Sequence, residues 1–143
     1  MLPAVLAADA NVLISAVIGG RAMDVLRDPR APAVMVAPEV CEEVVRHLPR
    51  LGSKPGLDPD ELLMQFGLLP ITVARTELYE AHAADAKQRM AVRDPDDWPS
   101  VALALALSIP IWSQDKDMAD SGLVVYTTGQ LLDTLRELPP AGG

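Results

Sequence analysis

The sequence is poor in cysteine, histidine, aromatic residues and positive charge. A single cysteine, Cys41, in 143 residues excludes an internal disulfide framework and a cysteine-rich zinc site. The two histidines, His47 and His82, lie far apart and share no local ligand motif. Two Trp, two Tyr and one Phe are too few for a base-stacking platform of the single-strand-binding kind. Against 12 Lys and Arg stand 20 Asp and Glu, a formal net charge of −8. Phosphate binding gains affinity mainly from Lys and Arg, so a generally basic nucleic-acid coat is excluded. An enzyme that gathers acids around a metal is not. The apolar run at 101–107 falls far short of a membrane span. The N-terminal MLPAVLAADANVL has no basic segment and meets Asp9 after a short apolar run, so it reads as a strand rather than a signal peptide. A cytoplasmic protein with no membrane association is expected.

What is present is apolar patterning. Half of the residues are hydrophobic, enough for one sizeable core. Short apolar runs at 4–8, 33–36, 68–73, 109–112 and 123–126 predict strands, with Pro70 favouring an edge or interrupted one. Between them, helical spacing predicts helices at 11–18 and 21–27, 38–47, 60–67, 77–91 and 97–107, and a last one at 128–138. The segment 49–59, rich in Pro and Gly, reads as a loop, and Asp58-Pro59-Asp60-Glu61 as a helix start. The alternation predicts a three-layer α/β/α sandwich with a mostly parallel sheet of four or five short strands. A single domain over 1–138 and a short tail at 139–143 are expected. The run Gly52-Ser53-Lys54-Pro55-Gly56 has neither the spacing nor the strand-to-helix context of a phosphate loop.

Four acidic segments fall where such a sheet opens its crevice, beyond the carboxyl ends of the strands. Asp9 closes the first strand. Asp115 and Asp117 follow the fourth. Asp94, Asp96 and Asp97 precede a buried helix, and Glu39, Glu42 and Glu43 lie on the helix after the second strand. Carboxylates within ~4–6 Å of one another cannot all stay ionised without a counter-charge. A divalent cation supplies one; Mg²⁺ and Mn²⁺ prefer oxygen ligands. Such an ion also activates water and offsets charge on phosphate, so an all-acid site points to phosphodiester chemistry.

The segments AADANVLISA, APEVCEEVVRHL, RDPDDWPSVALALA and IWSQDKDM, in this order, resemble the successive motifs of the PIN domain family across residues 5–126. The resemblance implies a metal-dependent ribonuclease using Mg²⁺ or Mn²⁺. Many small bacterial members are VapC-like toxins, which implies an RNA substrate, a cognate antitoxin and a homodimer. Carried over by residue, it implies metal ligation and catalysis by Asp9, Glu43, Asp97 and Asp115. Asp94 and Asp117 stand as accompanying acids, and Asn11 and Ser113 as supporting polar residues. Glu42 is the alternative to Glu43 if the helix register slips by one. Two departures stand out: Ala37 where many relatives carry Ser, and Trp98-Pro99 where small or aliphatic residues are commoner in the toxins.

Each residue also has a purely structural reading. Asp94-Pro95-Asp96-Asp97 has the shape of a helix start, like Asp58–Glu61. With Asp97 as cap, Pro99 falls harmlessly in the first turn, and Asp97 can both cap and face the crevice. Asp117 could simply start a turn. Ser113 has no neighbouring His base, so it is expected to orient a carboxylate by hydrogen bond. Cys41 is expected as a small buried hydrophobe, and Trp98 and Trp112 as core, with Trp98 close enough to the mouth to stack on RNA. Arg21, Arg27, Arg30, Arg46, Arg50, Lys54, Lys87, Arg89 and Arg93 could supply a basic rim or be solvated faces. Two other functions remain open: a non-catalytic PIN-like binding module, and a receiver-like signalling domain with an acidic Mg²⁺ pocket.

Overall fold

Five short strands form one sheet: β1 Val5–Ala8, β2 Ala33–Val36, β3 Thr72–Val73, β4 Ile111–Trp112 and β5 Val125–Tyr126. The computed structural model describes residues 2–92 and 94–140. The strand order is β3-β2-β1-β4-β5, and every neighbouring pair is parallel. Parallel neighbours need crossovers, and helices supply them. Helices α1 (Ala10–Val17) and α2 (Ala22–Arg27) connect β1 to β2; α3 (Pro38–Leu51) and α4 (Pro59–Gly67) connect β2 to β3. Helices α5 (Ala83–Met90) and α6 (Trp98–Leu107) lead to β4, and α7 (Thr128–Glu137) follows β5. The chain steps outward from β1 in one direction through β2 and β3, then returns and steps the other way through β4 and β5. Right-handed crossovers in opposite directions put helices on opposite faces, which makes the three layers.

Central β1 is covered on both faces: Leu6, Ala7 and Ala8 are buried. Helix α6 is apolar all round because it is buried among β1, α3 and α5. Between β1 and β4 the direction of winding reverses. That reversal opens a crevice at the carboxyl ends of these two strands. A receiver-like sheet runs in the order 2-1-3-4-5. The order seen here overturns that alternative.

Several boundaries differ from those predicted. Helix α3 runs on to Leu51, so the loop expected from residue 49 begins later, despite Pro49 inside the helix. The proline removes a bond to the Val45 carbonyl, but both residues are exposed and water can replace it. The helix expected over 77–91 is broken into 3₁₀ turns at Thr76–Leu78 and Glu80–His82 before α5 begins. Tyr79 causes the break: it lies between the turns outside helical geometry, fully buried, with its hydroxyl donating to Glu39. Strands β3, β4 and β5 each shrink to two residues. Pro70 and Pro110 bring no N–H to a ladder.

Trp112 ties β4 to α7. Its indole N–H donates to the Thr128 hydroxyl at 3.0 Å, and both residues are buried. Trp112→Phe leaves that hydroxyl unpaired, an expected loss of ~1–3 kcal/mol. Urea unfolding of Trp112→Phe, Thr128→Val and the double variant should show the double losing less than the two singles together. A coupling near zero would mean that the hydrogen bond contributes nothing.

Candidate metal centre

Pairing of β1 with β4 places Ala8 beside Trp112, so the residues that follow, Asp9 and Ser113, emerge side by side. Asp9 caps α1: one carboxylate oxygen accepts from the Val12 N–H at 3.1 Å. The other accepts from the Ser113 hydroxyl. Ser113 Oγ in turn accepts from the Asp115 N–H at 3.0 Å, and Asp115 Oδ1 accepts from the Asp117 N–H at 2.9 Å. A chain of hydrogen bonds thus fixes two acids across the point where the winding reverses. Asp115 heads the 3₁₀ turn Lys116–Ser121.

The third acidic segment approaches from the 3₁₀ turn Pro95–Asp97. Asp94 caps that turn, its Oδ1 accepting from the Asp96 N–H at 3.2 Å. Asp97 occupies the cap position of α6, and Pro99 falls in the first turn as expected. The Asp97 side chain, however, makes no capping bond, which corrects the expectation that it would both cap and face the crevice. Oxygens of Asp94, Asp97 and Asp115 instead lie within 4.8 Å of one another. Asp97 Oδ2 is buried and, among the described residues, has no hydrogen-bond partner.

Crowding shows in the proton affinities. Burial pushes the Asp97 carboxyl up to about 8, and the charges of Asp94, Asp9 and Asp115 add to the rise. Asp9 is pushed up to about 6 by burial, against the lowering effect of its bonds to Ser113 and Val12, with Asp115 and Glu43 raising it further. The helix after β2 therefore contributes Glu43 to the field around Asp9. Glu42 is exposed and acts on Cys41 and Tyr79 instead. Asp117 is partly buried but lies outside the three-carboxylate cluster, and the exposed Asn11 side chain makes no hydrogen bond among the described residues.

The donors are all oxygen, and a buried carboxylate oxygen lacks a protein partner. That set fits a hard divalent cation such as Mg²⁺ or Mn²⁺.

Other residues fell out of reach of sequence reasoning. Gln114 lies between Ser113 and Asp115, and its Oε1 accepts from the Thr128 N–H at 2.8 Å, tying the loop to α7. Lys87 Nζ stands 4.6 Å from the Trp98 ring centroid, and Tyr79 packs against the same indole at 6.4 Å. No local pattern announces such contacts between elements. Trp112 is core as expected, whereas Trp98 is only partly buried, and Cys41 is half-buried rather than buried. Of the basic residues, Arg30 bonds to Asp28 and to the Leu138 and Pro139 carbonyls, and Arg89 to Asp85 and the Ser121 carbonyl. Both are thus held by internal partners; Arg93 lies outside the described residues. Also among the described residues, no helix is long and apolar enough to cross a membrane.

The raised carboxyl pKa values set a direction for stability. Between about pH 4 and pH 8 the folded protein retains the Asp97 proton that the unfolded chain has lost. Stability from this group therefore falls as pH rises through that window, and Asp9 acts the same way up to about pH 6. In chelator-containing buffer, Asp97→Asn should raise the melting temperature at pH 8 by roughly 3 °C or more, for ~1 kcal/mol relieved. At pH 4 the gain should vanish. Thermal melts across pH check this; equal effects at both ends would refute it.

Comparison with known proteins agrees with this fold. A chain from the FitAB complex bound to an IR36 DNA fragment aligns with a TM-score of 0.56 at 16% identity, covering 86% of this chain and 94% of that one. A chain of FitAcB from Neisseria gonorrhoeae aligns with a TM-score of 0.53 at 17% identity, covering 87% and 98%. These likenesses concern the fold. No curated protein matches. Residues 7–136 match the PIN domain family, and the chain belongs to that family.

Proposed function

We propose that this PIN domain is a Mg²⁺- or Mn²⁺-dependent endoribonuclease that acts as the toxin component of a bacterial toxin–antitoxin pair. The observation that carries the reading is the Asp94–Asp97–Asp115 cluster, with the unpartnered Asp97 oxygen, at the winding reversal. Asp97, Asp115 and Asp9 would hold the ion, with Glu43 and Asp94 beside them. A divalent cation bound there supplies a counter-charge for the carboxylates and the phosphate and makes a bound water more acidic.

The chain's own residues do the positioning. Ser113 locks the Asp9 rotamer, so that one carboxylate keeps a fixed direction while the others approach from separate elements. Asp117 supports Asp115 through its backbone N–H and adds negative charge nearby. The Asp9 cap on α1 and the 3₁₀ turns hold the acids on short, well-anchored segments, which suits in-line attack on a phosphodiester. The toxin role, the antitoxin and a homodimer rest on family membership.

Purified protein should cut single-stranded RNA with Mn²⁺ and stop when the metal is chelated. Asp9→Asn, Asp97→Asn, Asp115→Asn and Glu43→Gln should each lower the rate at least ~100-fold, because each removes a carboxylate that would hold or flank the ion offsetting charge on the reacting phosphate. The circular dichroism spectrum should be retained. Glu80→Gln, on an exposed turn far in sequence from the cluster, should keep wild-type rates. Induced expression should arrest growth for the wild type and not for Asp9→Asn. Undiminished cleavage by both Asp9→Asn and Asp97→Asn would overturn the metal reading. Growth without arrest, with cleavage intact, would overturn the toxin role alone.

A further inference from the structure

Beside the carboxylate cluster lies a cavity of about 300 Å³ lined by Glu39, Glu42, Glu43, Arg46, Asp96, Trp98 and Pro99. Two of its walls adjoin the site's residues: Trp98 directly follows Asp97, and Glu43 acts on Asp9. Its size exceeds that of a nucleobase, and its one aromatic wall is Trp98. That indole is held in place: Lys87 covers it at 4.6 Å, and buried Tyr79, anchored to Glu39, packs at 51° to it. A base can stack on a pre-set indole with little ordering cost.

The polar groups around it divide by their commitments. Glu39 already accepts from Tyr79. Glu42 is exposed, makes no hydrogen bond among the described residues, and stands close enough to Tyr79 for its charge to act there. Arg46 makes no ion pair among the described residues, although three glutamates share its cavity. An ionised carboxylate only accepts hydrogen bonds. Guanine alone among the RNA bases offers two adjacent donors, N1–H and the N2 amino group, to one carboxylate. Single-stranded RNA is read in this way, by stacking on an aromatic ring and bonding to the Watson–Crick edge.

We propose that this cavity seats one unpaired guanine next to the scissile phosphate, with Trp98 stacking on the base, Glu42 accepting from its N1–H and N2 amino group, and Arg46 contacting the flanking phosphate. The inference rests on the ribonuclease reading for its substrate class. It assigns a task to Trp98 and separates Glu42 from Glu43 by role.

Two measurements separate its failure from that of the ribonuclease reading. In the first, labelled RNA hexamers, either all uracil or with a single guanine, are titrated by fluorescence anisotropy with Ca²⁺ in place of Mg²⁺ to keep them uncut. The guanine hexamer should bind at least fivefold more tightly. Trp98→Ala and Glu42→Gln should each cut that ratio to below twofold, whereas Trp98→Phe should keep most of it. In the second, a randomised single-stranded RNA pool is cut with Mn²⁺ and the ends are sequenced. Guanine should be enriched at least tenfold at one fixed position beside the cut, and Glu42→Gln should flatten that enrichment. Equal binding of the two hexamers by wild type overturns the inference whether or not the protein cuts RNA. So does a guanine preference that survives in both Trp98→Ala and Glu42→Gln. Guanine-selective binding without any cleavage would instead leave the subsite standing and overturn the ribonuclease reading.

Discussion

The burial of crowded carboxylates is the constraint around which this molecule is arranged. Asp9 is 5% exposed, and Asp97 carries a buried oxygen with no protein partner. Burying an ionised carboxylate without a counter-charge is unfavourable enough that the group holds its proton instead. Both acids do so, at about 6 and about 8. The fold tolerates the arrangement because hydrogen bonds fix part of it. Asp9 takes bonds from Val12 and Ser113, and Asp115 takes one from Asp117. Asp97 receives the least help and is shifted the most.

Sheet winding explains why these acids meet at all. Parallel pairing puts the carboxyl ends of β1 and β4 side by side, and α6, which runs back toward the amino end of β4, starts with Asp97 on the carboxyl side. Helix α6 is apolar on every face, so its position is set by burial, and its first turn delivers Asp97 without any freedom to swing away. The positive end of a helix dipole favours a nearby carboxylate by ~0.3–1 kcal/mol. For Asp97 that gain is outweighed by burial and by the charges of Asp94, Asp9 and Asp115, since its pKa rises rather than falls. A helix end alone does not offset this cluster; a divalent cation would offset two of its charges.

Much of this was legible in the sequence because it rests on local rules. Short apolar runs predicted the five strands, and Pro99 located the start of α6. Asp9 and Asp115 stood at strand ends, where a parallel sheet opens. Less legible were features governed by contacts between elements. Tyr79 broke a helix-like pattern because its hydroxyl had a partner on α3, forty residues earlier in the chain. Pro49 failed to end α3 because the carbonyl it left unpaired faces water. Asp97 had the spacing of a cap, yet its side chain turned toward Asp94 and Asp115, which no local pattern encodes. Glu43 was the residue matched by the resemblance and Glu42 the alternative one register away; the direction of α3 relative to Asp9 and Tyr79 gives them different surroundings.

The net charge of −8 acquires a different meaning once these positions are known. A polyanion usually binds through many Lys and Arg contacts. Here Arg30 holds the C-terminal segment against Asp28, and Arg89 fastens α5 to Ser121, so two candidate rim residues have internal tasks. Lys87 and Arg46 remain beside the cavity that adjoins the acids. For the RNA substrate proposed above, attraction would come from a divalent cation, which would offset two of the crevice's negative charges, and would be completed by stacking and hydrogen bonds that do not depend on net charge. A strand that does not reach the crevice would meet mostly repulsion from a chain of net charge −8.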